Sequence, residues 1–200
     1  MGRDKEGFLL DKDALMNIFT DTGAVMKGHF LLTSGLHSDT YIQCARVLQY
    51  PEHTAQLVAL IASAFKDERV DLVVGPAVGG ILVAYEAGRQ LNVPALFTER
   101  ENGVMTLRRG FEIPAGSRVL VVEDVVTTGG SVVEVMRVVK ERGAEVAGVG
   151  LLVDRSGGSI DFGVKKQAVL TLDVKTYSPE DCPLCRRGSC AVKPGSRGLK

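Results

Sequence analysis

The chain of 200 residues is predicted to fold as one α/β domain, a parallel sheet flanked by helices with a small N-terminal hood. Three observations predict it. Short β-branched runs, Leu72-Val73-Val74 and Val119-Leu120-Val121-Val122, read as central strands buried on both faces. Amphipathic segments of helical period separate such runs, and glycine-rich turns mark the junctions. Regular alternation of strand and helix argues for a parallel sheet covered on both sides.

In chain order, residues 11–22 read as an opening helix, with Asp11 as cap and Gly23 as stop. Residues 29–44, two alternating stretches about Gly35, read as a hairpin outside the main alternation. Its natural place is a flap over the carboxyl edge of the sheet. The stretch 51–68 is an amphipathic helix that begins at Pro51, a favoured first-turn residue. A strand over 70–74, a glycine turn, a helix to Leu91 and a strand over 94–98 follow. Residues 101–106, centred on Asn102-Gly103, read as a turn or lid, with a solvated hairpin as the alternative. A strand over 119–122 leads into a helix over 132–142 that Gly143 ends, and strands over 145–153 and 168–174 complete the run. The expected organisation is an N-terminal helix and hood over 1–45, an α/β core over 46–178, and a cysteine-containing tail over 179–200.

The stretch 119–131, VLVVEDVVTTGGS, carries the strongest chemical signal. Glu123 and Asp124 arrive at the carboxyl end of a buried strand, where open α/β sheets bind their ligands. Thr127, Thr128, Gly129, Gly130 and Ser131 then form a hydroxyl-rich turn before a helix, and the N–H groups of such a turn make an anion site. The plain alternative is a capped helix, Ser131 being the cap and Glu134 completing a capping box. Capping does not explain two acidic residues directly after an apolar strand. A phosphorylated sugar does. No lysine follows these glycines, so a nucleotide-hydrolysing P-loop is disfavoured.

With 24 basic and 24 acidic residues, no global field recruits nucleic acid or an anionic membrane, so phosphate recognition must be local. No segment reaches the roughly 18–20 apolar residues of a membrane span, and the first ten residues lack a signal-peptide core. A cytoplasmic chain with small-molecule partners is expected.

On these residues the stretch 119–131 resembles the phosphoribosyl-pyrophosphate (PRPP) signature of type I phosphoribosyltransferases. The resemblance implies that family's fold, with Glu123 and Asp124 holding the ribose hydroxyls as catalytic residues. It implies that Thr127, Thr128, Gly129, Gly130 and Ser131 cradle the 5′-phosphate. The turn Ala77-Val78-Gly79-Gly80 matches the family's pyrophosphate loop, where many members carry a lysine or arginine. Here that charge must come from Arg100, Arg108 or Arg109, whose guanidinium groups suit a bidentate clamp. Of the three, Arg100 is counted with the catalytic residues. The resemblance further implies Mg²⁺, chelated mainly by PRPP with no direct protein ligand, and a homodimer.

Residues 28–41 resemble the N-terminal hood of the orotate-using branch of the family. Tyr41 would stack on a pyrimidine, or serve only as a hairpin core residue, and Thr33 stands where that branch has a lysine. In Asp154-Arg155-Ser156-Gly157-Gly158 the arginine would meet the orotate carboxylate, with Thr127 also on the base. The expected reaction is transfer from PRPP to orotate, giving orotidine 5′-monophosphate and pyrophosphate. Xanthine, adenine or uracil as the base, or a PRPP-binding regulator, are the alternatives.

Cys44 stands alone, whereas Cys182, Cys185 and Cys190 cluster without a nearby histidine. Zinc normally takes four ligands, so packed or surface thiols are the stronger expectation. His29, His37 and His53 are too scattered in sequence to form a metal motif.

Overall fold

A computed structural model describes residues 11–32 and 34–194. Its centre is a six-stranded sheet of order β5-β4-β3-β6-β7-β8. The strands are β3 (Leu72–Pro76), β4 (Ala95–Glu101), β5 (Val104–Leu107), β6 (Arg118–Val126), β7 (Glu145–Asp154) and β8 (Lys166–Thr171). All neighbours pair in parallel except β5, an antiparallel edge strand on β4.

Strand alternation sorts the core into two layers. Val73, Leu120, Val122 and Leu152 meet α3 (Pro51–Phe65) and α4 (Gly79–Leu91), where Leu57, Ile61, Phe65, Val83 and Ala87 are buried. Leu72, Val74, Val119, Val121 and Leu151 meet the other face, covered by Val132, Val135 and Val139 of α5 (Gly130–Glu141). The expected parallel sheet with helices on both faces is present. Its closest approach is at β7, where a Cβ on Gly148 would fall 2.7 Å from Phe65 Cζ and 2.8 Å from the Lys165 carbonyl.

The opening helix α1 (Lys12–Asp21) is capped as expected, the Ala14 N–H donating to Asp11 Oδ1 at 2.8 Å. Several elements differ from expectation, among them β6, which runs on through Glu123 and Asp124 to Val126. The hairpin begins earlier, β1 (Val25–Leu31) pairing with β2 (His37–Ile42), because a register shift between Lys27 and Phe30 breaks the alternation that would have revealed it. A short helix, α2 (Ala45–Leu48), was not expected. Within 101–106, Val104, Met105 and Thr106 belong to β5, so the segment is the hairpin given as the alternative and not an open lid, Asn102 and Gly103 both taking positive φ as a two-residue hairpin turn requires.

The capping-box alternative is not seen. The cap of α5 is Gly129 at φ 81°, with no side-chain cap bond, and Glu134 pairs with Arg100 instead.

From Tyr177 to Val192 the chain, its C-terminal tail, lies along both edges of the hairpin. Val192 bridges β1, the Leu31 N–H donating to its carbonyl at 2.9 Å, while Tyr177 and His37 exchange bonds of 2.8 and 2.9 Å on β2. A short helix, α6 (Pro183–Arg186), carries Cys182 and Cys185 against His29 and His37. Histidines that looked isolated in sequence thus acquire cysteine neighbours, and Cys190 stays exposed outside the group.

Gly148→Ala should lower stability by about 1–3 kcal/mol through overpacking against Phe65. The corresponding fall in melting temperature is about 2–12 °C for a chain of this size. An unchanged melting curve would show that α3 yields freely.

Candidate functional site

The site is built at the carboxyl end of β6. Glu123 and Asp124 end the buried run of this strand together, and both carboxylates reach the glycine loop after β3, Asp124 against Gly79 and Glu123 against Gly80. Glu123 is buried and Asp124 half-buried. The Asp124 N–H donates to Glu123 Oε1 at 3.1 Å and the Val125 N–H to Asp124 Oδ1 at 2.8 Å. Burial, then the neighbouring Asp124 charge, pushes the Glu123 carboxyl from its ordinary 4.5 up to about 9. Burial raises Asp124 as well.

Past Val126 the chain turns through Thr127, Thr128 and Gly129 into α5. These residues, with Gly130, Ser131, Glu123, Arg100 and Glu134, line an open cleft of about 260 Å³. The absence of a side-chain cap on α5 leaves its first N–H groups available at the positive end of the helix dipole. An Ile160 and Phe162 contact packs Gly129 from behind, where an added Cβ would lie 3.0 Å from the Phe162 ring. The turn is therefore supported on its far side and open toward the cleft.

The glycine loop after β3 backs the carboxylates. A Cβ on Gly79 would overlap the Asp124 carboxylate, and one on Gly80 would sit 3.2 Å from Glu123 Oε1 and 2.8 Å from Pro76 Cδ. This close approach explains why Gly79 and Gly80 replace the basic residue expected there. Ala77 and Val78 are exposed, their joining peptide is cis, and the Ala77 N–H donates to the Thr98 carbonyl at 2.7 Å.

Of the three arginines on the β4–β5 hairpin, Arg100 lines the cleft. Each of them is engaged by a carboxylate: Arg100 with Glu134 at 2.5 Å, Arg108 with Glu101 at 3.2 Å, and Arg109 with Glu99 at 2.6 Å. Their side chains are 44–59% exposed, so these pairs are weakly held, worth about 0–1 kcal/mol. Arg109 also lies over the Phe97 ring at 5.7 Å.

On the hood side, Tyr41 packs beside Phe30 with ring centroids 5.7 Å apart, so the hood presents an aromatic pair. Cys44 joins hood to sheet, its thiol reaching the Asp124 carbonyl at 3.5 Å. Burial, then Asp124 and Glu123, pushes that thiol well above its ordinary value, so it is a packed donor and no nucleophile. Arg155 follows β7, its N–H donating to the Val126 carbonyl at 2.9 Å, one residue before the phosphate-type turn. Its Nε is buried without a partner, and burial lowers the guanidinium from its ordinary value against the pull of Tyr41 and Cys44. Thr33 lies outside the described residues.

Two features were not foreseen. Glu134 holds Arg100, a pairing across 34 positions with no local signature. Asp154, fully buried, accepts from Ser156 Oγ at 2.6 Å, the Ser156 N–H at 2.9 Å and Lys166 Nζ at 2.9 Å. Burial opposes its charge, but those bonds hold its carboxyl below the ordinary range. The Asp-x-Ser spacing is the sequence trace of this turn. It fixes the backbone that presents Arg155.

A family model described as phosphoribosyl transferase domain matches residues 45–162. The chain is 57% identical over 190 residues to an orotate phosphoribosyltransferase of Desulforamulus reducens, covering 95% of this chain and 100% of the relative. The same identity and coverage hold for an orotate phosphoribosyltransferase of Pelotomaculum thermopropionicum. Among solved structures, orotate phosphoribosyltransferase from Aeropyrum pernix superposes with a TM-score of 0.69 at 30% identity, covering 79% of this chain and 93% of that one.

The raised Glu123 carboxyl sets a pH dependence. Between 4.5 and about 9 the native chain keeps a proton that the unfolded chain has released, so this contribution to stability is full below 4.5 and lost as pH rises through about 9. Urea unfolding of ligand-free Glu123→Gln should therefore gain on the wild type between pH 5.5 and 8.5, by more than about 1.4 kcal/mol, the worth of one pK unit. Parallel pH profiles would remove the buried-proton assignment.

Proposed function

The chain belongs to the phosphoribosyl transferase family, and we propose that it transfers the ribose 5-phosphate of PRPP to N1 of orotate. The products are orotidine 5′-monophosphate and pyrophosphate, a step of de novo pyrimidine biosynthesis that leads to UMP. The observation that carries the choice of base is Arg155, whose buried, unpartnered Nε beside Tyr41 calls for an anionic partner. A planar carboxylate satisfies a guanidinium bidentately, and orotate is the pyrimidine that carries one.

In this reading the 5′-phosphate sits on the N–H groups of Thr127, Thr128, Gly129, Gly130 and Ser131, at the uncapped start of α5. Glu123 and Asp124 accept the ribose hydroxyls and lie beneath the ring as positive charge develops on it. Ribose hydroxyl donors and that charge favour the carboxylate forms, so substrate displaces the proton held in the empty site. The pyrophosphate leaves over Ala77, Val78, Gly79 and Gly80, with Arg100 exchanging Glu134 for a phosphate oxygen. Arg108 and Arg109, on the same hairpin, hold weak surface pairs that exchange equally cheaply. No covalent nucleophile is required; alignment and preorganised charge supply the acceleration.

Magnesium fits the donors present. The cleft offers carboxylate and hydroxyl oxygens from Glu123, Thr127 and Thr128, hard ligands with no sulfur or imidazole among its lining residues. Beside Glu123, Thr127 and Thr128, and bound with PRPP, magnesium would supply charge neutralisation for the pyrophosphate. Tyr41 stacks on orotate, with Thr127 at its edge. A cytoplasmic homodimer completes the reading; among the described residues no helix is long and apolar enough to cross a membrane.

Pyrophosphate release from PRPP, followed with orotate, uracil, adenine and xanthine, tests the reaction; release with a purine but not with orotate would overturn it. Arg155→Ala should cut kcat/KM for orotate by roughly 30- to 1,000-fold, the worth of about 2–4 kcal/mol, with the KM for PRPP nearly constant. Equal losses for both substrates would place Arg155 on the phosphate side. Arg100→Ala should reduce turnover more steeply than Arg109→Ala, because only Arg100 lines the cleft. The reverse order would reassign the pyrophosphate clamp.

A further inference from the structure

We propose that His29, His37, Cys182 and Cys185 form a tetrahedral zinc site that fastens the C-terminal tail to the hood. It is separate from the cleft and from any magnesium carried by the substrate. The four donor atoms lie within 4.8 Å of one another. His29 Nε2 is 2.9 Å from His37 Nδ1, 3.4 Å from Cys182 Sγ and 3.7 Å from Cys185 Sγ, and Cys185 Sγ is 3.3 Å from His37 Nδ1. A tetrahedron with zinc–sulfur and zinc–nitrogen bonds of ordinary length has sulfur–nitrogen edges of about 3.5 Å and a nitrogen–nitrogen edge of about 3.3 Å. The three sulfur–nitrogen separations of 3.3–3.7 Å match these edges, the nitrogen–nitrogen separation of 2.9 Å is shorter, and the rest lie within 4.8 Å, so the donors converge on one point that an ion would reach with small side-chain adjustments.

Protonation chemistry agrees. His29 Nδ1 lies 3.0 Å from the Ser189 carbonyl, which accepts only if that nitrogen carries the ring proton. Nε2 is then a lone pair aimed at the cluster, the orientation that a carbonyl behind a zinc-bound histidine imposes. His29, His37 and Cys182 are buried and Cys185 partly so. Two soft thiolates with two imidazoles select zinc among the common divalent ions. On binding, each thiol releases its proton to solvent and its sulfur bonds the ion, so two thiolates and two neutral imidazoles leave the site without net charge.

A dithiol redox pair is the competing account of Cys-x-x-Cys, but a disulfide has no use for two convergent imidazole nitrogens. The fold supplies a reason for a staple. A two-stranded hairpin is marginal alone, and this one is held on both edges by tail segments whose own helix α6 spans only Pro183–Arg186. One ion joins all of them.

Elemental analysis of the full chain, purified without chelator or reconstituted with zinc chloride, should give about one zinc per chain. Cys182→Ser/Cys185→Ser and His37→Ala should each take this toward zero, whereas Cys190→Ser and His53→Ala should leave it intact. Cobalt substitution should produce tetrahedral d–d absorption and thiolate-to-cobalt charge transfer, and chelation should lower the melting temperature until zinc is restored. A wild-type chain that is folded by circular dichroism yet neither takes up zinc nor shows the cobalt bands overturns the proposal, with no variant needed. Undiminished zinc in Cys182→Ser/Cys185→Ser overturns it as well. Metal content is read without any phosphoribosyl transfer, so its outcome is independent of the proposed reaction.

Discussion

Two carboxylates, Glu123 and Asp124, are held out of water at the end of the central strand, and much of the architecture answers to that constraint. Ionised side by side they repel, and burial leaves them little solvent to screen the repulsion. Burial and then the neighbouring Asp124 charge raise the Glu123 carboxyl to about 9, so the ligand-free protein keeps a proton there. The surrounding backbone contributes N–H donors from Asp124 and Val125. The loop behind has no side chains at Gly79 and Gly80 because the carboxylates already occupy that space. A site prepared in this way holds its charge in reserve for a partner rich in hydroxyl donors and cationic character.

The same economy governs the cations. The chain is formally neutral, and every arginine of the β4–β5 hairpin at the site is engaged by a carboxylate of its own. Exposed pairs of this kind contribute little to stability, so exchanging the carboxylate for another anion, as proposed for pyrophosphate, would cost little. Arg155 is the exception. Its buried Nε has no partner, and such a group is costly to leave unmatched. Asp154, Ser156 and Lys166 hold the turn that presents it, placing rigid support next to an unsatisfied donor.

Hood and tail are one unit in space although they lie at opposite ends of the chain. The hairpin has few internal means of holding its orientation over the sheet. Backbone bridges from Val192 and Tyr177, the Cys44 contact to β6, and the histidine–cysteine cluster supply them. Whatever fixes the hood also fixes Tyr41 relative to Arg155, so the proposed base contacts would depend on residues far from the proposed phosphate turn.

The strand, acidic pair and hydroxyl-rich turn of 119–131 were legible in the sequence because their geometry is local. A β-branched run, alternation and a glycine turn before a periodic helix place carboxylates and N–H groups within a few residues of one another. The parallel sheet followed from the same short-range periodicity, as did the Asn102-Gly103 turn. Side-chain partners across elements were not legible. Glu134 could cap its own helix or reach Arg100, and only the packed positions of α5 and β4 decided for Arg100. Cys182 meets His29 across 153 positions, a contact that exists only because the tail lies back along the hairpin. Periodicity reports which face of an element is buried; it carries no information on which distant side chain shares that face. Tertiary structure alone settled which arginine enters the cleft and that scattered histidines and cysteines converge.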